Sequence, residues 1–249
     1  MKSAPSGATA DTLLGGRLSV VQPADGYRVA VDAVLLAAAV DGGAGHRVLD
    51  LGCGVGSAAL CLAWRCAGVE IIGLDREPVF LAAARSNAEA NRLTGRVAFI
   101  AGDVLDPPSS IRGRFDRVML NPPYLKAGSA TVSAHPLKAA ATAEGAAGLA
   151  DWIACARLAL LPGGILTLIH RADRMGDVLM ALDRDFGGIV VLPIHPKAER
   201  PAKRILVQAR AGTGAPLAIL PGFILHESDG RFTAAAEAIL RDGQPLAMA

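Results

Sequence analysis

The sequence has no uninterrupted apolar run of the ~20 residues that a membrane-spanning helix needs. Its most apolar stretch, 153–169, is broken by Arg157 and by Pro162-Gly163-Gly164. A spanning helix is excluded, although 52% of the 249 residues are apolar and mean hydropathy is +0.38. Residues 1–11 hold no apolar stretch that could serve as the core of a signal peptide. Aromatic residues make up only 4%, so the apolar content is aliphatic core and alanine filler. Cysteine pairs are also missing. Cys53, Cys61, Cys66 and Cys155 form no C-x-x-C and no zinc-like spacing, and a reduced, cytosolic protein is expected. Charge of one sign is not in excess either, with 25 basic and 23 acidic residues. Bulk charge therefore announces no nucleic-acid partner.

From residue 47 onward, short β-rich runs alternate with helical patterns. Strands are expected at 47–52, 70–75, 97–103, 115–120, 164–170, 189–194 and 204–209. Helices are expected at 57–66, with Ser57 as N-cap, and at 78–92, 148–161 and 174–186. This alternation predicts an α/β fold: a doubly wound, Rossmann-like, seven-stranded and mostly parallel sheet with helices on both faces. A small N-terminal hairpin within 13–31, turning at Pro23-Ala24-Asp25-Gly26, would precede it. One domain over 1–249 is expected, its core sheet at 28–211, with 1–27 and 212–249 as appendages. The long Ala/Gly/Ser/Thr-rich connection 125–147 carries His135, Lys138 and Glu144 and has the length of a functional loop.

Asp50-Leu51-Gly52-Cys53-Gly54-Val55-Gly56 ends the first core strand and opens a helix. Glycines there let the chain turn tightly and let a ligand approach the backbone, while the helix start offers free N–H groups. The dinucleotide fingerprint G-x-G-x-x-G is not met, because the third glycine comes one position early. Asp75 ends the second strand, where a carboxylate can accept from both hydroxyls of a ribose. Asp103, followed by Val104, ends the third, where it could accept from an adenine amine. Ligands of open α/β sheets bind at such strand ends, so a cofactor containing adenosine is expected.

Asn121-Pro122-Pro123-Tyr124 follows the fourth strand. The two prolines stiffen the backbone and remove two donors. A planar amine could give its hydrogens to the Asn121 side chain and the Pro122 carbonyl, which draws the nitrogen toward tetrahedral character and frees its lone pair. Tyr124 could stack on the planar group, worth ~1–3 kcal/mol for a base.

With these motifs in place, the chain resembles class I S-adenosylmethionine-dependent methyltransferases that modify planar amines. The resemblance implies S-adenosyl-L-methionine as cofactor and Asn121, Pro122, Pro123 and Tyr124 as the catalytic tetrapeptide. It also implies a cofactor site of Arg28, Asp50, Gly52, Cys53, Gly54, Gly56, Asp75, Arg76, Asp103, Val104 and Asn121. Gly26-Tyr27-Arg28, Asp32 to Leu36 and the stretch 169–173 resemble bacterial adenine methyltransferases that act beside the anticodon of a valine tRNA. Methylation of adenine in RNA is the implied activity, with tRNA as partner. Methylation of a protein glutamine, as in a release factor, is the alternative. Those enzymes usually carry a separate helical domain before the glycine strand, which only 46 residues precede here. A nicotinamide oxidoreductase would share the glycine loop and Asp75, but would give Asn121 to Tyr124 no role. A fold retained only for binding RNA or a partner is the non-catalytic alternative.

The basic run Lys197, Arg200, Lys203 and Arg204 faces only Glu199. It reads equally as a phosphate grip and as a solvated charged hairpin. Arg28 and Asp32, four apart, match a helical ion pair, whereas the resemblance implies a role in the pocket. His135 and His170 lack partners at metal spacing, so no metal is expected, and Glu144 reads as a helix-entry residue.

Overall fold

Strands β1 (Ala8–Leu13) and β2 (Leu18–Pro23) pair antiparallel with Leu13 opposite Leu18. This computed structural model describes residues 8–23, 31–124 and 145–248. The hairpin turns at Leu14–Gly16, where Gly15 and Gly16 have φ of 63° and 90°. The expected turn at 23–26 is not the hairpin's turn, because Pro23 still pairs with Ala8; 24–30 lie outside the described residues. The hairpin is docked by α3 (Pro78–Ala90) and the asparagine that caps it. Asn87 accepts from the Val21 N–H at 2.8 Å and donates to the Val21 and Val55 carbonyls, each at 3.0 Å. Asn91 accepts from the Ser19 N–H and donates to the Ser19 carbonyl. Two side-chain amides thus satisfy the outer edge of β2, as the burial of backbone polar groups requires.

The seven expected core strands are β3 (Arg47–Leu51), β4 (Glu70–Asp75), β5 (Val97–Ala101), β6 (Phe115–Leu120), β7 (Leu160–Arg171), β8 (Phe186–His195) and β9 (Arg204–Ala211). Two-residue strands β10 (Ala218–Ile219) and β11 (Phe223–Ile224) join the outer edge of β8, so the sheet has nine. Its order is β10-β8-β9-β7-β6-β3-β4-β5, and β9 alone runs against the others. The chain steps from β3 outward to β4 and β5, then returns to β6 on the other side of β3. That reversal opens a crevice at the carboxyl ends of β3 and β6.

Successive residues of each strand feed opposite cores. Val48, Ile71 and Met119 pack with α1 (Val31–Ala39), α2 (Ser57–Arg65) and α3; Leu49, Leu51, Val118 and Leu168 pack with α4 (Leu149–Ala159) and α5 (Met175–Leu182). Burial on both faces accounts for the continuous apolar strands. Among the described residues, no helix is long and apolar enough to cross a membrane.

Three expected boundaries move. The N-cap of α2 is Gly56, at φ 84°, and Ser57 is the first helical residue. Helix α4 stops at Ala159 because Leu160 already pairs with Phe115; Pro162-Gly163-Gly164 sits inside β7, beside a register shift, with Gly163 at φ 72°. Helix α5 ends four residues earlier than expected, since Phe186 pairs with Ala211. The sheet also continues past residue 211, and α6 (Ala234–Leu240) packs on α1, with the Leu246 N–H bonded to the Ala38 carbonyl at 2.9 Å.

Candidate active site

The glycine loop is tied to its neighbouring strand. The Gly52 and Cys53 N–H groups both donate to the Leu74 carbonyl, at 2.8 and 3.0 Å. Asp75 receives the Gly54 N–H on one carboxylate oxygen at 2.8 Å and the Glu77 N–H on the other at 2.9 Å. A carboxylate has about four acceptor positions, so Asp75 clamps the loop and keeps capacity for ribose hydroxyls. Burial raises its carboxyl above the usual range, and the Glu77 and Gly54 N–H bonds oppose the rise.

Asp50 is buried and accepts the Ala59 N–H in the first turn of α2 at 3.1 Å. Burial, with the Asp75 charge adding to it, pushes its carboxyl up to about 7. Its contribution is to anchor the helix start. Burial raises the Cys53 thiol well above its ordinary value, and the Asp50 and Asp75 charges add to the rise. Asp103 accepts the Leu105 N–H at 2.9 Å, with Arg76 3.9 Å from its other oxygen.

Asn121, Pro122, Pro123 and Tyr124 line one cavity with Asp50, Gly52, Cys53, Gly54, Asp75, Arg76, Asp103 and Val104. The sheet therefore brings together every described residue expected for the catalytic and cofactor sites except Gly56. That residue lies just behind, at the helix start, where an added Cβ would meet Phe99 at 2.8 Å. Arg28 lies outside the described residues, as does 125–144 with His135, Lys138 and Glu144; Gly145 and Ala147 line the cavity.

Tyr124 is held from several elements. Its hydroxyl donates to Asp32 Oδ2 at 2.8 Å and touches Asn121 Oδ1. Arg204 Nε donates to the same Asp32 oxygen at 3.0 Å, and its guanidinium lies 4.8 Å from the centre of the Tyr124 ring. The His170 ring meets Tyr124 edge-on at 5.3 Å, and Arg174 donates to the Tyr124 carbonyl at 3.3 Å. The Arg204 guanidinium covers one face of the Tyr124 ring. Of the basic run, Arg204 thus turns into the site, Arg200 and Lys203 are exposed, and Lys197 donates to the Ser228 carbonyl at 2.8 Å.

Sequence reading missed several of these side chains. The residues themselves mark Asp32 as half of a helical ion pair and the resemblance gives it a pocket role, but neither points to Tyr124 as its partner. Trp152, one of two tryptophans, lines the cavity from α4; no pattern marked it.

His170 is fully buried, its Nδ1 accepts the Arg171 N–H at 2.9 Å, and its Nε2 has no hydrogen-bond partner among the described residues. Burial first, then the Arg174 charge, depresses it to about 4. Unfolded chains protonate histidine near 6.5, whereas the folded protein resists until about 4. Between these values the unfolded state binds more protons, so this residue's contribution to stability falls as pH drops from about 6.5 to about 4. Asp50 has the opposite slope, which makes a difference measurement necessary. Urea unfolding should show the wild type losing about 3 kcal/mol relative to His170→Gln across that window; a pH-independent difference would contradict it.

A mostly parallel sheet that reverses beside β3, with a glycine loop after that strand and Asn-Pro-Pro-Tyr after its neighbour, defines a methyltransferase fold and site. The chain belongs to the methyltransferase small domain family, whose model matches residues 28–194. It is 34% identical over 169 residues to a tRNA1(Val) (adenine(37)-N6)-methyltransferase of Porphyromonas gingivalis, covering 65% of this chain and 66% of that protein. It is 35% identical over 154 residues to a release factor glutamine methyltransferase of Bordetella pertussis, covering 59% and 56%. The chain thus spans just under two thirds, and a little over half, of the lengths of these relatives. The crystal structure of a predicted O-methyltransferase, Atu636 from Agrobacterium tumefaciens, superposes with a TM-score of 0.72 at 28% identity, covering 87% of this chain and 98% of that one.

Proposed function

We propose that the protein is an S-adenosyl-L-methionine-dependent N-methyltransferase acting on the exocyclic amine of adenine in RNA, a tRNA base beside the anticodon. The observation that carries this reading is the placement of Asn121 to Tyr124 in one cavity with the glycine loop. The similarity to the Porphyromonas gingivalis protein supports the choice of substrate, and the reading goes with a cytoplasmic enzyme.

The residues present fit the cofactor. Among the described residues a Cβ at Gly54 would meet nothing within 4 Å, which leaves the backbone open to a ligand. Ser57 Oγ and Trp152 Nε1 belong to cavity-lining residues and are buried without hydrogen-bond partners among the described residues. Gly52, Gly54 and the start of α2 would hold the cofactor's polar end, Asp75 its ribose and Asp103 its adenine. When bound, it supplies an electrophilic methyl group. Asn121 and the Pro122 carbonyl each accept one hydrogen of the substrate amine, and the lone pair is left free for attack. No dedicated base is required. Arg200 and Lys203 offer phosphate contacts that salt weakens.

A second reading, methylation of a glutamine carboxamide, is favoured by the similarity to the Bordetella pertussis protein. Labelled cofactor offered to total tRNA, DNA and ribosomal proteins decides between them. Label should enter tRNA; label in protein alone would overturn the substrate. Calorimetric titration should show cofactor binding that Asp75→Ala weakens by about 10–100-fold, the cost of a lost charge-assisted hydrogen bond. An intact protein that does not bind would overturn the cofactor.

A further inference from the structure

We infer that Asp32 is a positioning residue that sets which end of the Asn121 side-chain amide faces the substrate amine, acting through the Tyr124 hydroxyl. The inference rests on the N-methyl-transfer reading of this site and adds to it a residue that touches neither substrate nor cofactor.

The Tyr124 hydroxyl carries one proton and lies against two oxygens, Asp32 Oδ2 at 2.8 Å and Asn121 Oδ1 as placed. Both cannot receive it. Asp32 is 7% exposed, and the same Oδ2 is bound by Arg204 Nε at 3.0 Å. A carboxylate paired with a guanidinium only accepts, so the Tyr124 proton goes to Asp32. The tyrosine oxygen then turns its lone pairs to Asn121, and two acceptor oxygens in contact would repel. The amide resolves this by presenting its NH2 to Tyr124, an orientation that heavy-atom positions alone do not distinguish. Its carbonyl oxygen then lies on the side away from Tyr124. No other hydrogen bond engages the Asn121 side chain among the described residues, so that oxygen is available to an amine N–H. With Asp32 removed, the Tyr124 proton passes to the Asn121 oxygen, and the amide presents donors to an amine that itself needs an acceptor.

Asp32→Ala should lower kcat about 100-fold, the scale of a misplaced reacting group, with cofactor Kd unchanged. Asp32→Asn should recover most of that loss, since one oxygen at the Oδ2 position accepts from both Tyr124 and Arg204. In a Tyr124→Phe background, which has no hydroxyl proton to allocate, Asp32→Ala should change kcat less than threefold; an equal loss in both backgrounds would overturn the inference. A second readout needs no turnover. The ¹H–¹⁵N signal of the Asn121 side chain, identified by its disappearance in Asn121→Ala, should move in both Tyr124→Phe and Asp32→Ala, whose thermal midpoints show whether each is folded. A signal that stays in place in either folded variant would overturn the inference even in a protein that methylates nothing. Absence of methyl transfer by the wild type, with the signal moving as expected, would overturn the proposed function and leave the relay standing.

Discussion

Asn121→Ala is expected to lower methyl transfer about 10²–10³-fold, the cost of losing one preorganised polar group at a reacting atom. Cofactor affinity should stay within about twofold of the wild type. The separation follows from placement. Asn121 begins immediately after β6, and its described hydrogen bond runs to Tyr124 rather than to the glycine loop. The loop is held independently, by Leu74 and by Asp75. Removing the Asn121 amide therefore leaves the cofactor side intact and takes away the acceptor that holds one amine hydrogen. The measurement is single-turnover transfer from labelled cofactor, beside a calorimetric Kd. Activity above a tenth of wild type would mean that the Pro122 carbonyl alone orients the amine, and Asn121 would lose its assigned role.

What could be read from the sequence follows the range of the interactions. The glycine loop, Asp75, Asp103 and the tetrapeptide each sit at the end of an apolar strand, and a parallel sheet delivers strand ends to one edge. Local pattern was enough to bring them together. The support around Tyr124 was not legible in this way. Asp32 reaches it from α1, His170 from β7 and Arg204 from β9, and no spacing in the chain encodes a meeting of three elements so far apart. The docking of the hairpin by Asn87 and Asn91 was hidden for the same reason. Two polar residues four apart on a helix read as a solvated face until a second backbone comes to use them. Arg204 shows how a local reading can miss: within 197–204 it looks like one cation of a run, yet its antiparallel partner Arg171 belongs to β7, and the side chain is drawn across to Asp32.

The three loop glycines should separate stability from cofactor binding. All three have left-handed backbones, with φ of 74° at Gly52, 53° at Gly54 and 84° at Gly56, which costs an alanine about 1–2 kcal/mol. Their surroundings differ. A Cβ at Gly52 would lie 2.6 Å from the Trp152 ring, one at Gly56 would lie 2.8 Å from Phe99, and one at Gly54 would meet nothing within 4 Å among the described residues. Phe99 is fixed in the core, so overpacking adds about 1–3 kcal/mol at Gly56, and the Trp152 ring imposes a similar cost at Gly52. Gly52→Ala and Gly56→Ala are therefore expected to lose about 2–5 kcal/mol in urea unfolding, and Gly54→Ala only about 1–2 kcal/mol. The ranking reverses for the ligand. The space beside Gly54 is the floor of the cavity, and a methyl group there occupies ground that a bound cofactor needs, so Gly54→Ala should weaken cofactor affinity at least about tenfold, or ~1.4 kcal/mol. Gly54→Ala that binds as tightly as wild type would show that the cofactor does not approach the backbone at this glycine. A Gly56→Ala protein of undiminished stability would show that the contact with Phe99 yields more easily than its place in the core implies.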